Sequence, residues 1–103
     1  LPAEVSEMEV VGLTPAPSVL VKPPRVAESP AHFECRYLRT VELPPHATGE
    51  PNAMVLGEVI GVHIRDDILR DGRVDVALLR PVARLGYSQY TVVERHFSMI
   101  FPD

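Results

Sequence analysis

His32-Phe33-Glu34-Cys35-Arg36-Tyr37-Leu38-Arg39-Thr40-Val41-Glu42-Leu43, followed after a polar break by Ala53-Met54-Val55-Leu56-Gly57-Glu58-Val59-Ile60-Gly61-Val62-His63-Ile64, decides the fold. In the first run Phe33, Cys35, Tyr37, Val41 and Leu43 fall on one face of a period-two strand. His32, Glu34, Arg36, Thr40 and Glu42 fall on the other, with Leu38 and Arg39 breaking the pattern. In the second run Met54, Leu56, Glu58, Ile60, Val62 and Ile64 alternate with the smaller Ala53, Val55, Gly57, Val59 and Gly61. A face of small residues predicts close approach of another strand, a helix or a flat ligand. The connection, Pro44 to Asn52, is polar and rich in turn formers, so the two runs predict an antiparallel hairpin.

Before the hairpin, Met8 to Leu13 and Ser18 to Lys22 read as short strands, and Thr14-Pro15-Ala16-Pro17 divides them. Lys22-Pro23-Pro24-Arg25 predicts an extended connection with few hydrogen bonds, because proline lacks a donor and restricts its predecessor. After the hairpin, Asp66 to Leu69 predicts one helical turn capped by Asp66, and Asp71-Gly72 a tight turn. Asp75 to Arg80 predicts a second short helix, capped by Asp75 and stopped by Pro81. Leu85-Gly86-Tyr87-Ser88 is a turn, and Tyr90 to Met99 reads as the last strand, interrupted by Arg95. The whole is mainly β with two helical turns.

The chain has 103 residues, enough for one small domain. Its formal net charge of −4 argues against nucleic acid as a partner, because phosphate binding needs a basic surface. No apolar run is long enough for a spanning helix, and no basic-then-apolar leader opens the sequence. The single cysteine, Cys35, excludes an intrachain disulfide and fits a reducing, cytoplasmic setting. The first residue is Leu1 rather than Met, which we read as a processed chain, a fragment or one piece of a split protein.

Few residues mark chemistry. Gly57 and Gly61 lie inside a strand, so no phosphate-binding loop is present. His32 and Cys35 are three apart on a strand and point to opposite faces, so no metal site is expected. Cys35, on the apolar face, reads as a buried inert thiol. Nothing marks a nucleophile or another catalytic side chain. His63 beside Asp66 and Asp67 is either a polar cluster or a strand-end histidine next to a cap. Arg80, Arg84, Tyr87 and Tyr90 gather around one turn, where arginine offers donors to an anion or a ring carbonyl and tyrosine offers a flat face.

Gly12 to Ser18, Val21 to Pro30, Phe33-Glu34-Cys35, Gly57-Glu58-Val59 with His63-Ile64, Asp71 to Asp75, Leu79-Arg80-Pro81-Val82-Ala83-Arg84-Leu85-Gly86 and Tyr90 follow one another in a recognisable order. The series resembles the C-terminal half of flavin reductase-like domain proteins and covers nearly the whole chain, residues 1–103. The resemblance implies an antiparallel split β-barrel of the FMN-binding type, incomplete in this chain and completed by a missing half, a complementary chain or a dimer partner. It implies FMN as cofactor, NAD(P)H as co-substrate and a monooxygenase as a further partner. Arg84, Gly86 and Tyr90, with His63 and Tyr87 behind them, are the positions that the resemblance places near the flavin or nicotinamide. Two departures stand out. Gly57-Glu58-Val59 stands where short-chain flavin reductases carry Gly-Asp-His, and Tyr87 follows Gly86 where many relatives have a second glycine.

The implied activity is hydride transfer between NAD(P)H and flavin. The alternatives are a barrel subunit or fragment that works in assembly, and a flavin-free enzyme on the same fold.

Overall fold

The computed structural model describes residues 6–102. It divides into two compact units, Leu1–His63 and Ile64–Asp103. Each is built from two-stranded sheets, so among the described residues no sheet closes into a barrel.

The first unit opens with a helix, α1 (Glu7–Val11), where the sequence predicts a strand. The reason is local. Glu7 and Glu9 place negative charge in the first turn, where the helix dipole favours it. Gly12 then ends the helix in the left-handed conformation (φ 78°), its amide reaching back to the Glu9 carbonyl. β1 (Pro15–Ala16) pairs antiparallel with β2 (Arg25–Val26), so two stretches expected to be unpaired connections form a short ladder. The expected strand at Ser18 to Lys22 is instead an irregular turn between them.

β3 (Ala31–Leu43) and β4 (Asn52–Ile64) form the predicted hairpin. Arg36 meets Glu58 and Glu34 meets His63, so partners rise on one strand as they fall on the other, which makes the pair antiparallel. A Cβ at Gly57 would lie 3.3 Å from the Cβ of Cys35, and one at Gly61 would lie 3.5 Å from the Cβ of Glu34. Cys35 and Glu34 are neighbours and point to opposite faces, so Gly57 and Gly61 do too. Gly57 and Gly61 are an even number of residues apart, so the alternation of β4 is broken between them. The small-residue face expected from strict alternation is split between the two sides of the sheet.

Burial also departs from expectation. On β3 the apolar side is open: Phe33 is 69% and Tyr37 66% exposed, and Cys35 is exposed. The buried residue is Glu34, from the polar side, at 2%. Cys35 is thus not the enclosed thiol that its face predicts. The polar side is the one that the Ser18–Lys22 turn covers.

In the second unit a 3-10 turn (Asp66–Ile68) has Arg65, not Asp66, at its N-cap, and Asp67 binds the Arg65 guanidinium at 2.6 Å. β5 (Leu69–Arg70) and β6 (Arg73–Val74) are joined by Asp71 and Gly72 at φ 54° and 77°. Two successive positive φ values define the hairpin turn for which Asp-Gly is suited. α2 (Val76–Leu79) is capped as predicted: the Asp75 carboxylate accepts the amides of Ala77 at 2.9 Å and Leu78 at 3.3 Å. Ile68 is the buried hydrophobic residue of the described chain, at 2% exposure, and α2 packs against its turn.

β7 (Val82–Arg84) pairs antiparallel with β8 (Tyr90–Val92). β8 is far shorter than the strand expected to reach Met99. Its partner explains the difference: Arg80 is left-handed (φ 51°) and Pro81 follows, so β7 offers three residues and then the Pro81 carbonyl, which takes the Val93 amide at 2.8 Å.

Candidate functional site

Two groups of side chains carry chemistry, one in each unit. In the first unit the Glu34 carboxylate is buried beneath the Ser18–Lys22 turn. Its Oε1 accepts the backbone N–H groups of Val19 (3.1 Å), Leu20 (2.6 Å) and Val21 (3.1 Å). Its Oε2 accepts Val19 N–H at 3.0 Å and the Nε2–H of His63. Three successive amides converging on one oxygen form an anion-binding concavity of backbone. The His63 hydrogen bond, first, and then these amides hold the Glu34 carboxyl down to about 2, from an ordinary 4.5, against the opposing effect of burial. Gly61 makes the approach possible, since a Cβ there would sit 3.0 Å from Leu20 Cδ1. Ser18 closes the turn by donating to the Pro23 carbonyl at 2.6 Å.

His32 stands edge-on to His63, ring centroids 6.1 Å apart. Its Nε2–H donates to the Val26 carbonyl, which leaves Nδ1 to accept from Arg25 Nη1 at 3.5 Å in the neutral ring. Arg25 also donates through Nε to the Pro17 carbonyl at 3.1 Å. Between these groups lies a cavity of about 270 Å³ whose walls include Ser18, Val21, Arg25, His32 and Glu34.

In the second unit the β7–β8 hairpin brings together the arginine and tyrosines that the sequence singles out. Arg84 and Tyr90 are cross-strand partners, and the guanidinium lies 5.8 Å from the centre of the Tyr90 ring. Arg84 Nη2 donates to the Tyr87 carbonyl at 3.1 Å. Tyr87 sits at φ 58° and is 94% exposed. Gly86 precedes it, with open space where a side chain would be, and its carbonyl accepts the Gln89 amide at 3.1 Å. The turn thus presents an unobstructed aromatic ring and a guanidinium with donors to spare. Such a pair can stack on a planar ring and bind an anionic or carbonyl oxygen. Arg80 is engaged elsewhere, donating to Glu94 at 2.7 Å.

Arg84, Gly86, Tyr87 and Tyr90 therefore share one hairpin, and His63 belongs to the Glu34 group of the other unit. The Glu34 cluster was missed. Its sequence signal was an acid on a strand whose polar face holds His32, with a second histidine on the partner strand.

The first 91 residues match the family model "Flavin reductase like domain". An uncharacterised protein of Halalkalibacterium halodurans is 38% identical over 103 residues, which are 99% of this chain and 49% of that protein. Component B of nitrilotriacetate monooxygenase from Bacillus cereus superposes with a TM-score of 0.84 at 27% identity, over 96% of this chain and 49% of its own. Flavoredoxin of Desulfovibrio vulgaris (Miyazaki F) superposes with a TM-score of 0.77 at 25% identity, over 96% of this chain and 50% of its own. The chain spans about half the length of these relatives, and its mainly β fold is that of part of a split barrel. With a family match over residues 1–91 and this fold, the chain belongs to the flavin reductase like domain family.

Proposed function

We propose that this chain is part of a flavin-dependent oxidoreductase that moves hydride between NAD(P)H and FMN. The observation that carries the reading is the β7–β8 turn, where Arg84, Tyr87 and Tyr90 offer stacking and hydrogen-bonding groups at an open surface. In this reading Tyr87 or Tyr90 lies against a planar ring. Arg84 binds a phosphate or ring carbonyl, and Gly86 leaves room for it. When bound, the flavin itself supplies hydride acceptance and donation, and the side chains orient it and tune its charge. A monooxygenase is the partner class that the Bacillus cereus relative's name brings to mind as electron acceptor. A cytoplasmic protein completes the picture.

A second element of the proposal concerns assembly. Phe33, Tyr37, Val55, Val82 and Phe97 are each more than half exposed. That much open apolar surface beside so small a core calls for cover, and further barrel strands are the natural source. We take residues 1–103 as the C-terminal part of a split-barrel domain, completed by a further segment, a complementary chain or a second copy. A role in assembly alone is the rival reading.

The deciding experiment titrates FMN into the purified protein and follows flavin fluorescence, then measures NAD(P)H oxidation with and without FMN. Saturable quenching with FMN-dependent oxidation supports the enzyme. A stable oligomer with neither property supports the assembly reading and ends the first.

A further inference from the structure

We infer that Glu34 is a positioning residue: its carboxylate is the built-in ligand of the backbone nest at Val19, Leu20 and Val21, and it fixes the turn that walls the cavity beside Arg25 and His32. Hydrophobic burial cannot hold this turn, because Val19 is 74% and Leu20 59% exposed. Nor does a sheet hold it: among the described residues the amides of Val19, Leu20 and Val21 donate to Glu34. Ser18 adds a second clasp by donating to the Pro23 carbonyl. Three convergent N–H groups repel one another unless an anion lies between them, so the carboxylate sets the shape of the backbone. His63 anchors the far oxygen to β4, which couples turn and hairpin through one side chain.

The test compares the parent protein with Glu34→Ala and Glu34→Gln by amide hydrogen exchange. In Glu34→Ala the amides of residues 19–21 should exchange at least ~10-fold faster, while those of β3 and β4 keep their protection and report an intact hairpin. Sodium formate should slow that exchange again by refilling the nest. Glu34→Gln, which keeps one acceptor oxygen, should fall between parent and Glu34→Ala. Unchanged protection of residues 19–21, or no response to formate, would overturn the clamp.

Discussion

His63 donates its Nε2–H to Oε2 of Glu34, a residue 29 positions earlier on the paired strand, and this bond is the largest influence on that carboxyl. One hydrogen bond thereby links the end of β4 to the start of β3. Through the other carboxylate oxygen it reaches the turn above them.

Acid stability follows from this bond. The folded Glu34 carboxyl titrates near 2 and an unfolded one near 4.5, so the unfolded chain takes up the proton first as pH falls. The stabilisation is fully present above about 4.5 and is lost between there and about 2. Denaturant melts across that range should show the midpoint falling in the parent and a flatter profile in Glu34→Gln. Parallel slopes would assign the acid sensitivity to other carboxylates, of which Glu28, held low chiefly by the Thr14 amide, is the first to test.

Gly61 should tolerate no branched side chain while Leu20 is in place. Gly61→Val drives atoms toward Leu20 Cδ1 and the Glu34 Cβ, and a destabilisation of about 1–3 kcal/mol is expected. Leu20→Ala in the same molecule should recover part of the loss, because the closest atom is then gone. Simple additivity in a double-mutant cycle would show that the two sites do not touch.

Asp75→Ala removes the acceptor for two α2 amides and the carboxylate that lies 3.3 Å from Arg70 Nε. A loss of about 0.5–2 kcal/mol is expected, dominated by the cap. Asp75→Asn keeps a capping oxygen and should cost less. Thermal melts of both variants rank them, and equal losses would shift the weight to the Arg70 pair.

Arg84→Ala and Tyr90→Ala should cut FMN affinity by ~10-fold or more and move the melting temperature little, since Tyr90 is 58% exposed and large stability losses arise mostly at buried sites. Flavin titration beside a thermal melt separates the two effects. Parent-like affinity in both variants would remove this hairpin from the flavin site.

The hairpin was legible because two runs of a dozen residues keep a period of two, and Asp71-Gly72 and Asp75 carry local turn and cap chemistry that needs no distant partner. The failures share a cause. The strand expected at Met8 to Leu13 yielded to a one-turn balance of acidic residues and Gly12, which alternation does not register. Alternation placed Glu34 on the wet side, and tertiary contact from the Ser18–Lys22 turn reversed that. The arginine and tyrosines of the β7–β8 turn are sequence neighbours, so their grouping was readable. The pairing of Glu34 with His63 spans the hairpin, beyond a point where the alternation of β4 breaks.

The broken alternation makes β4 sensitive to its own length. Deleting one residue from Val59-Ile60 would invert the faces of Gly61 to His63 relative to Glu58. His63 would then leave the Glu34 side and Gly61 would no longer admit Leu20. Such a deletion is expected to loosen the Ser18–Lys22 turn even where the two strands stay paired, and so to be far more damaging than most substitutions in the same strand.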